Sequence, residues 1–223
     1  MDLVQKKAYA LFDFDGTISR GDSIIPFLWF CVKRGEASAK ILLQAFGAYL
    51  NYRLGLMDDT QAKAAAMAFL KGKPQDRVEA LAAQFYQEVL SKRLFPQAVW
   101  EIRKCLEEGM EVLIVTASPD AYLGLLPQRL GVQGVLGTRC GLDGEHVYTG
   151  SFASKNCRGF EKTLRIAEYL AARGHELDAE RSRSYGDSLS DLPMLQLTRH
   201  PVVVNGRRGL LKALPQAPRE SWK

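Results

Sequence analysis

The sequence predicts an α/β fold, a doubly wound, Rossmann-like parallel sheet with an inserted all-helical cap domain. Three observations predict it. Short apolar runs, AYALF at 8–12 and VLIV at 112–115, stop abruptly at Asp13 and Thr116 and read as buried parallel strands. Amphipathic stretches closed by glycine lie between and beyond them, and helix, glycine, strand is the rhythm of αβ units. From 21 to 92 the pattern is helical throughout, punctuated by Gly35, Gly55 and Gly72-Lys73-Pro74, with no strand candidate.

Taken in order, the core is expected over 1–20 and 93–223 and the cap over 21–92. Gln97 to Glu108 places Ala98, Val99, Ile102, Cys105 and Leu106 at helical spacing before Gly109. Residues 136–153 alternate around Asp143-Gly144, as a β-hairpin does. Glu161 to Arg173 reads as a helix with Leu164, Ala167, Leu170 and Ala171 inward. A weak strand at 183–185 ends at Gly186-Asp187, PVVV at 201–204 closes the sheet, and PQAPRESWK reads as a loose tail. In the cap, the apolar face of Phe27, Leu28, Phe30, Ile41, Leu42, Leu43, Phe46 and Tyr49 reads as packed core in preference to a membrane surface.

Composition narrows the partners. The net charge of +5 comes from Lys and Arg scattered through helical patterns, not from a basic arm with interleaved aromatics, so nucleic acid is excluded and a mild attraction for anionic substrates remains. Cys31, Cys105, Cys140 and Cys157 show no C-x-x-C pairing and read as buried thiols. His146, His175 and His200 are isolated and read as solvated. The first residues lack the apolar stretch of a secretory leader, so the expected location is cytoplasmic.

Ligands of open α/β sheets bind at the carboxyl ends of the strands. There the sequence places Asp13-Phe14-Asp15-Gly16-Thr17, Thr116-Ala117-Ser118, and Gly186-Asp187 with Asp191. Carboxylates gathered on one rim repel and raise one another's pKa values unless a cation sits among them, and oxygen donors of this kind select Mg²⁺. Phosphoryl transfer needs donors and positive charge on the phosphate oxygens as well. Thr116 offers a hydroxyl with adjacent backbone N–H groups. Lys162 stands in a helix's first turn, where the macrodipole disfavours a cation unless an anion is bound.

These residues resemble, in order, the four motifs of the haloacid dehalogenase superfamily in its phosphatase branch: Asp13 to Thr17 the first, Thr116 the second, Lys162 the third, Gly186-Asp187 with Asp191 the fourth. The helical insertion is similar to the cap of the subfamily that includes phosphoserine phosphatases. The resemblance implies a Mg²⁺-dependent phosphatase of small phosphate esters in which Asp13 attacks phosphorus and Asp15 shuttles the proton. Thr116, Ala117 and Lys162 would hold the phosphoryl group, and Asp13, the Asp15 carbonyl, Asp187 and Asp191 would surround the metal.

Asp22 lies where phosphoserine phosphatases place an acid for the substrate amine, whereas the helix at 60–70 offers Lys63 in place of their cap arginine. The stretch from Asn156 to Lys162 is similar to relatives acting on phosphatidylglycerophosphate and to histidinol-phosphatase-like members. A receiver-type signalling module, with its phospho-accepting aspartate, is the rival from another class; it lacks a large cap.

Overall fold

Tyr9, Ala10, Leu11 and Phe12 are all buried, as a strand apolar on both faces demands. The structure, a computed structural model, describes residues 4–223. Residues 1–3, on which the reading against a secretory leader partly rests, lie outside the described residues.

The strands in chain order are β1 (Gln5–Lys7), β2 (Tyr9–Phe12), β3 (Glu111–Pro119), β4 (Gly134–Thr138), β5 (Cys140–Leu142), β6 (Tyr148–Phe152), β7 (His175–Leu177), β8 (Arg183–Gly186), β9 (His200–Val204) and β10 (Arg219–Glu220). The main sheet has six strands in the order β10-β9-β8-β2-β3-β4, parallel throughout. Phe12 pairs with Ile114 and with Tyr185, so Asp13, Thr116 and Asp187 emerge at the same edge from the three central strands.

Helices α1 (Ile24–Lys33), α2 (Lys40–Arg53), α3 (Asp59–Met67) and α4 (Gln75–Phe85) fall between β2 and β3 and form the helical insertion. Asp58 caps α3 through a reciprocal pair with Gln61. Helix α5 (Pro96–Glu107) begins with proline in its first turn and stops at Gly109, whose positive φ of 79° lets Met110 N–H reach back to Cys105. The remaining helices are α6 (Asp120–Leu123), α7 (Leu126–Leu130), α8 (Phe160–Ala171), α9 (Leu192–Leu195) and α10 (Arg208–Ala213).

Tyr122 of α6 joins the insertion to the sheet. It stacks on Phe27 at 4.6 Å and meets Phe85 edge-on at 5.9 Å, and all three rings are buried. Each such aromatic pair is worth roughly 0.5–1.5 kcal/mol beyond the area it buries. On the sheet itself Phe12 stacks on Tyr185 at 4.1 Å.

Several expectations need correction. The segment at 134–138 is the sheet's edge strand, so the hairpin is narrower than 136–153 and runs only from Cys140 to Phe152. Leu136 packs with Leu113, Val115 and Cys157, which holds its strand to the sheet. The tail is not loose: β10 pairs with β9, and Trp222 is buried 6.1 Å from the Tyr185 ring. A two-residue strand has no periodicity to read, and the tryptophan's large apolar area decides its place. β1 pairs with β7 in a separate two-stranded ladder that the sequence did not signal.

On α8 the inward residues are Lys162, Arg165, Ile166 and Leu170, whereas Leu164, Ala167 and Ala171 are exposed. Counting apolar residues turned that helix the wrong way, because two of its buried side chains are basic. The apolar face of the insertion divides as well: Phe27, Leu28, Phe30 and Ile41 are core, but Leu43, Phe46 and Tyr49 are exposed. Cys31, Cys105 and Cys157 are buried as expected, and Cys140 is half-buried. His175 is half-buried against the Tyr9 hydroxyl at 2.6 Å, not solvated.

Candidate active site

The reach between strand ends is closed by one lysine. Its helix begins after Gly159, whose positive φ of 61° turns the chain into α8. Lys162 then lies on the stripe of Ile166 and Leu170, so its side chain enters the core. Only 1% exposed, it donates to Asp13 Oδ1 and to Asp191 Oδ1, both at 2.7 Å. Burial lowers the lysine's pKa, but the two carboxylates outweigh burial and hold it protonated well above its ordinary value.

Asp13 is pushed up to about 7, chiefly by burial and then by the Asp191 charge, against the pull of Lys162. Its Oδ2 accepts from the Thr17 hydroxyl at 3.2 Å. Asp191 is held below the ordinary carboxylate range despite its burial, because Lys162 and the Ser188 N–H and hydroxyl all donate to it. Asp187 Oδ2 accepts Nε and Nη2 of Arg207, each at 2.8 Å, yet burial still raises its pKa.

Asp13, Asp187 and Asp191 each offer one oxygen, all within 4.8 Å of one another. Lys162 and Arg207 offset two of the three charges, so one buried negative charge is left over. An oxygen-only donor set with surplus negative charge fits a hard dication such as Mg²⁺. Two glycines keep the space. A Cβ on Gly16, whose φ is +92°, would stand 2.5 Å from Asp187 Oδ2, and one on Gly186 would stand 2.6 Å from the Asp191 Cβ.

Asp15 is turned away from this cluster. Its Oδ2 accepts from the Ser118 hydroxyl, while Oδ1 is buried with no partner. Burial first, and the Asp22 charge second, push its pKa up to about 6. Thr116 is buried, and its hydroxyl accepts from Ser118 N–H at 3.0 Å, which fixes the backbone near the end of β3. The β3–β4 register slips between Val115 and Pro119, so the strand is irregular where Thr116 and Ala117 sit.

The helical insertion supplies the other wall. Lys63 of α3 donates to the Ala117 carbonyl at 3.0 Å and to Asn156 Oδ1 at 3.3 Å, and burial lowers its pKa against the pull of Asp59, Asp22 and Asp15. Asp59 accepts from Asn156 at 2.7 Å and from Arg158 at 2.9 Å. Asp22 is exposed, and its Oδ1 accepts from Ile24 N–H at 2.8 Å at the start of α1, so it faces the site by charge more than by contact. Sequence reasoning missed Asp59, Arg207 and Ser23, whose buried hydroxyl lies 3.3 Å from that of Ser118 beside Asp15. A Ser or Asp at a helix start reads as a cap, and nothing in a lone arginine foretells its acid.

Residues 10–196 match the model of the haloacid dehalogenase-like hydrolases. The chain belongs to this family. That membership covers every motif residue, and it sets aside the receiver reading. Among relatives of this haloacid dehalogenase-like hydrolase, the CicA protein of Caulobacter vibrioides is 32% identical over 188 residues, covering 83% of this chain and 81% of that protein. A phosphoserine phosphatase of Mycobacterium tuberculosis, SerB1, is 27% identical over 203 residues, covering 89% of this chain; the chain spans 65% of that relative's length. A protein of unknown function from Bordetella pertussis Tohama I superposes with a TM-score of 0.87 at 23% identity, covering 97% of this chain and 99% of that one, and confirms the fold.

Proposed function

We propose that the chain is a Mg²⁺-dependent phosphatase of small phosphate monoesters, working through an aspartyl-phosphate on Asp13. The observation that carries this reading is the buried meeting of Asp13, Lys162, Asp191 and Asp187 at the edge of the central strands. Asp13 and Asp187, with the Asp15 carbonyl, are the proposed metal ligands. Asp191 offers an oxygen to the same cluster, so it is a further proposed ligand, and it also orients Lys162. Bound Mg²⁺ would supply positive charge that favours the ionised form of Asp13 and screens the incoming phosphate.

An Asp13 oxygen attacks phosphorus as the ester P–O bond breaks. Asp15, whose pKa near 6 leaves part of it protonated at neutral pH, gives its proton to the leaving oxygen. It then takes a proton from the water that attacks the acyl phosphate, and free phosphate leaves. Lys162 and the Thr116 hydroxyl meet the negative charge on the transferring group. Residues 21–92 act as a cap that shields this exchange from bulk water.

The leaving group faces Lys63, Asp22 and Ser23, a cation and an anion side by side. That pairing supports an amino-acid or amino-alcohol phosphate, as does the name of the mycobacterial relative. The test is a phosphate-release assay over phosphoserine, histidinol phosphate, nucleotides, sugar phosphates and phosphatidylglycerophosphate, with and without Mg²⁺. Release should need Mg²⁺ and fall about 10⁴-fold or more in Asp13→Asn. Substantial turnover by that variant would end the covalent reading.

A further inference from the structure

Helix α2 is apolar on two opposite sides. Ile41, Ala45 and Ala48 form the buried stripe against the rest of the insertion. Leu43, Phe46, Leu50 and Leu54 follow a second helical stripe offset by about half a turn, and they are 74%, 60%, 43% and 72% exposed. Tyr49, beside this stripe, and Leu56, just past the helix, are exposed too. On the preceding helix Ile25 and Trp29, one turn apart, also face solvent. A continuous stripe of this kind is more than the scattered exposed leucines of an ordinary surface, and it marks an interaction face.

The charge around the stripe indicates what covers it. Residues 24–57 contain Lys33, Arg34, Lys40 and Arg53 and a single acid, Glu36. Glu36 is already engaged by Lys73 and Arg77, so it offers little repulsion to an anionic surface. Lys40 and Arg53 stand at the two ends of α2, both exposed, and Lys33 ends α1. Arg34 is paired with Glu88, but Lys33, Lys40 and Arg53 have no acidic partner among the described residues, and an aliphatic and aromatic strip bordered by such bases is the pattern of a helix lying in the headgroup region of an anionic bilayer.

We propose that the outer face of α2 docks the protein on anionic membrane surfaces. The leucines and Phe46 enter the acyl boundary, and Lys40 and Arg53 meet lipid phosphates. The same helix reaches the rim of the site, where the Tyr52 hydroxyl accepts from Arg158 at 3.1 Å. Docking therefore sets the insertion, not the distant end of the sheet, against the lipid. Among the described residues no helix is long and apolar enough to cross a membrane, so the attachment is peripheral.

The experiment is flotation of the full chain with phosphatidylcholine vesicles containing or lacking phosphatidylglycerol. The protein should float with the anionic vesicles at low salt, at least tenfold more than with neutral ones, and raised salt should release most of it. Phe46→Glu with Leu50→Glu should abolish flotation while turnover of a soluble ester stays within twofold. Leu43→Gln with Leu54→Gln gives the same comparison should the first pair fold poorly. No flotation of the unaltered chain would overturn the proposal. So would equal binding to both vesicle types, or a concentration-dependent dimer that these substitutions dissolve.

Discussion

The two walls of the site are held in different ways. On the sheet side Asp13, Lys162 and Asp191 are nearly inaccessible and grip one another through charge-assisted bonds at 2.7 Å, and the equally buried Asp187 is held by Arg207 at 2.8 Å. On the helical side Lys63, Asp59 and Asp22 are only partly covered, and Lys63 reaches its partners from the end of a flexible stem. In the buried network each member is costly to remove, because its partners are left charged and dry. In the looser wall a lost side chain is largely replaced by water. The contrast teaches that one wall is rigid and the other adaptable, and on the proposed function the rigid one fixes the reaction while the other chooses the leaving group.

The strongest way to break this comparison is Lys162→Ala. It strands Asp13 and Asp191 without their cation and should destabilise the fold by about 3–5 kcal/mol, read as a fall in denaturation midpoint along with loss of turnover. Gly16→Ala should also abolish activity, since the added methyl meets Asp187 and the backbone must leave its positive φ; the fold itself should survive, as circular dichroism would show. Lys63→Ala belongs to the other wall. It should raise KM about 10–100-fold for an anionic leaving group and change kcat far less. An equal fall in kcat would place Lys63 with the chemistry and blur the distinction.

The smallest effect concerns Asp59. Burial raises its pKa, but Arg158, Asn156 and Lys63 together hold it below the ordinary carboxylate value. A depressed carboxyl stabilises the fold fully above its unfolded pKa of about 4 and loses that contribution as pH falls through the folded value. The stability gap between the natural protein and Asp59→Asn should therefore narrow on acidification from about pH 6 to about pH 3. A constant gap would mean that the Asp59–Arg158 pair contributes nothing through charge.

Legibility in the sequence follows the same division. Strand-end acids were readable because a buried strand must stop somewhere, and a carboxylate immediately past a run such as AYALF has few structural reasons to be there. Lys162 was readable by register, although the face of its helix was not, since a buried lysine and Arg165 reverse the usual pattern of apolar residues inward. Lys63 was readable only through the resemblance, and Asp59 depends on how segments 97 residues apart meet, as in the bond from Asn156 to Asp59, about which local periodicity carries no information. The closing β10 escaped notice for the same reason. Its partner, not its own composition, makes it a strand.

The hairpin of β5 and β6 meets the connection between α3 and α4 through main-chain atoms. Gly72 N–H donates to the Tyr148 carbonyl, Tyr148 N–H to that of Lys73, and Gln75 N–H to that of His146, each at 2.9 Å. Amide groups are common to every residue but proline, so this seam is indifferent to most changes of side chain. Side chains lining the helical wall can therefore be exchanged while these main-chain bonds keep its alignment.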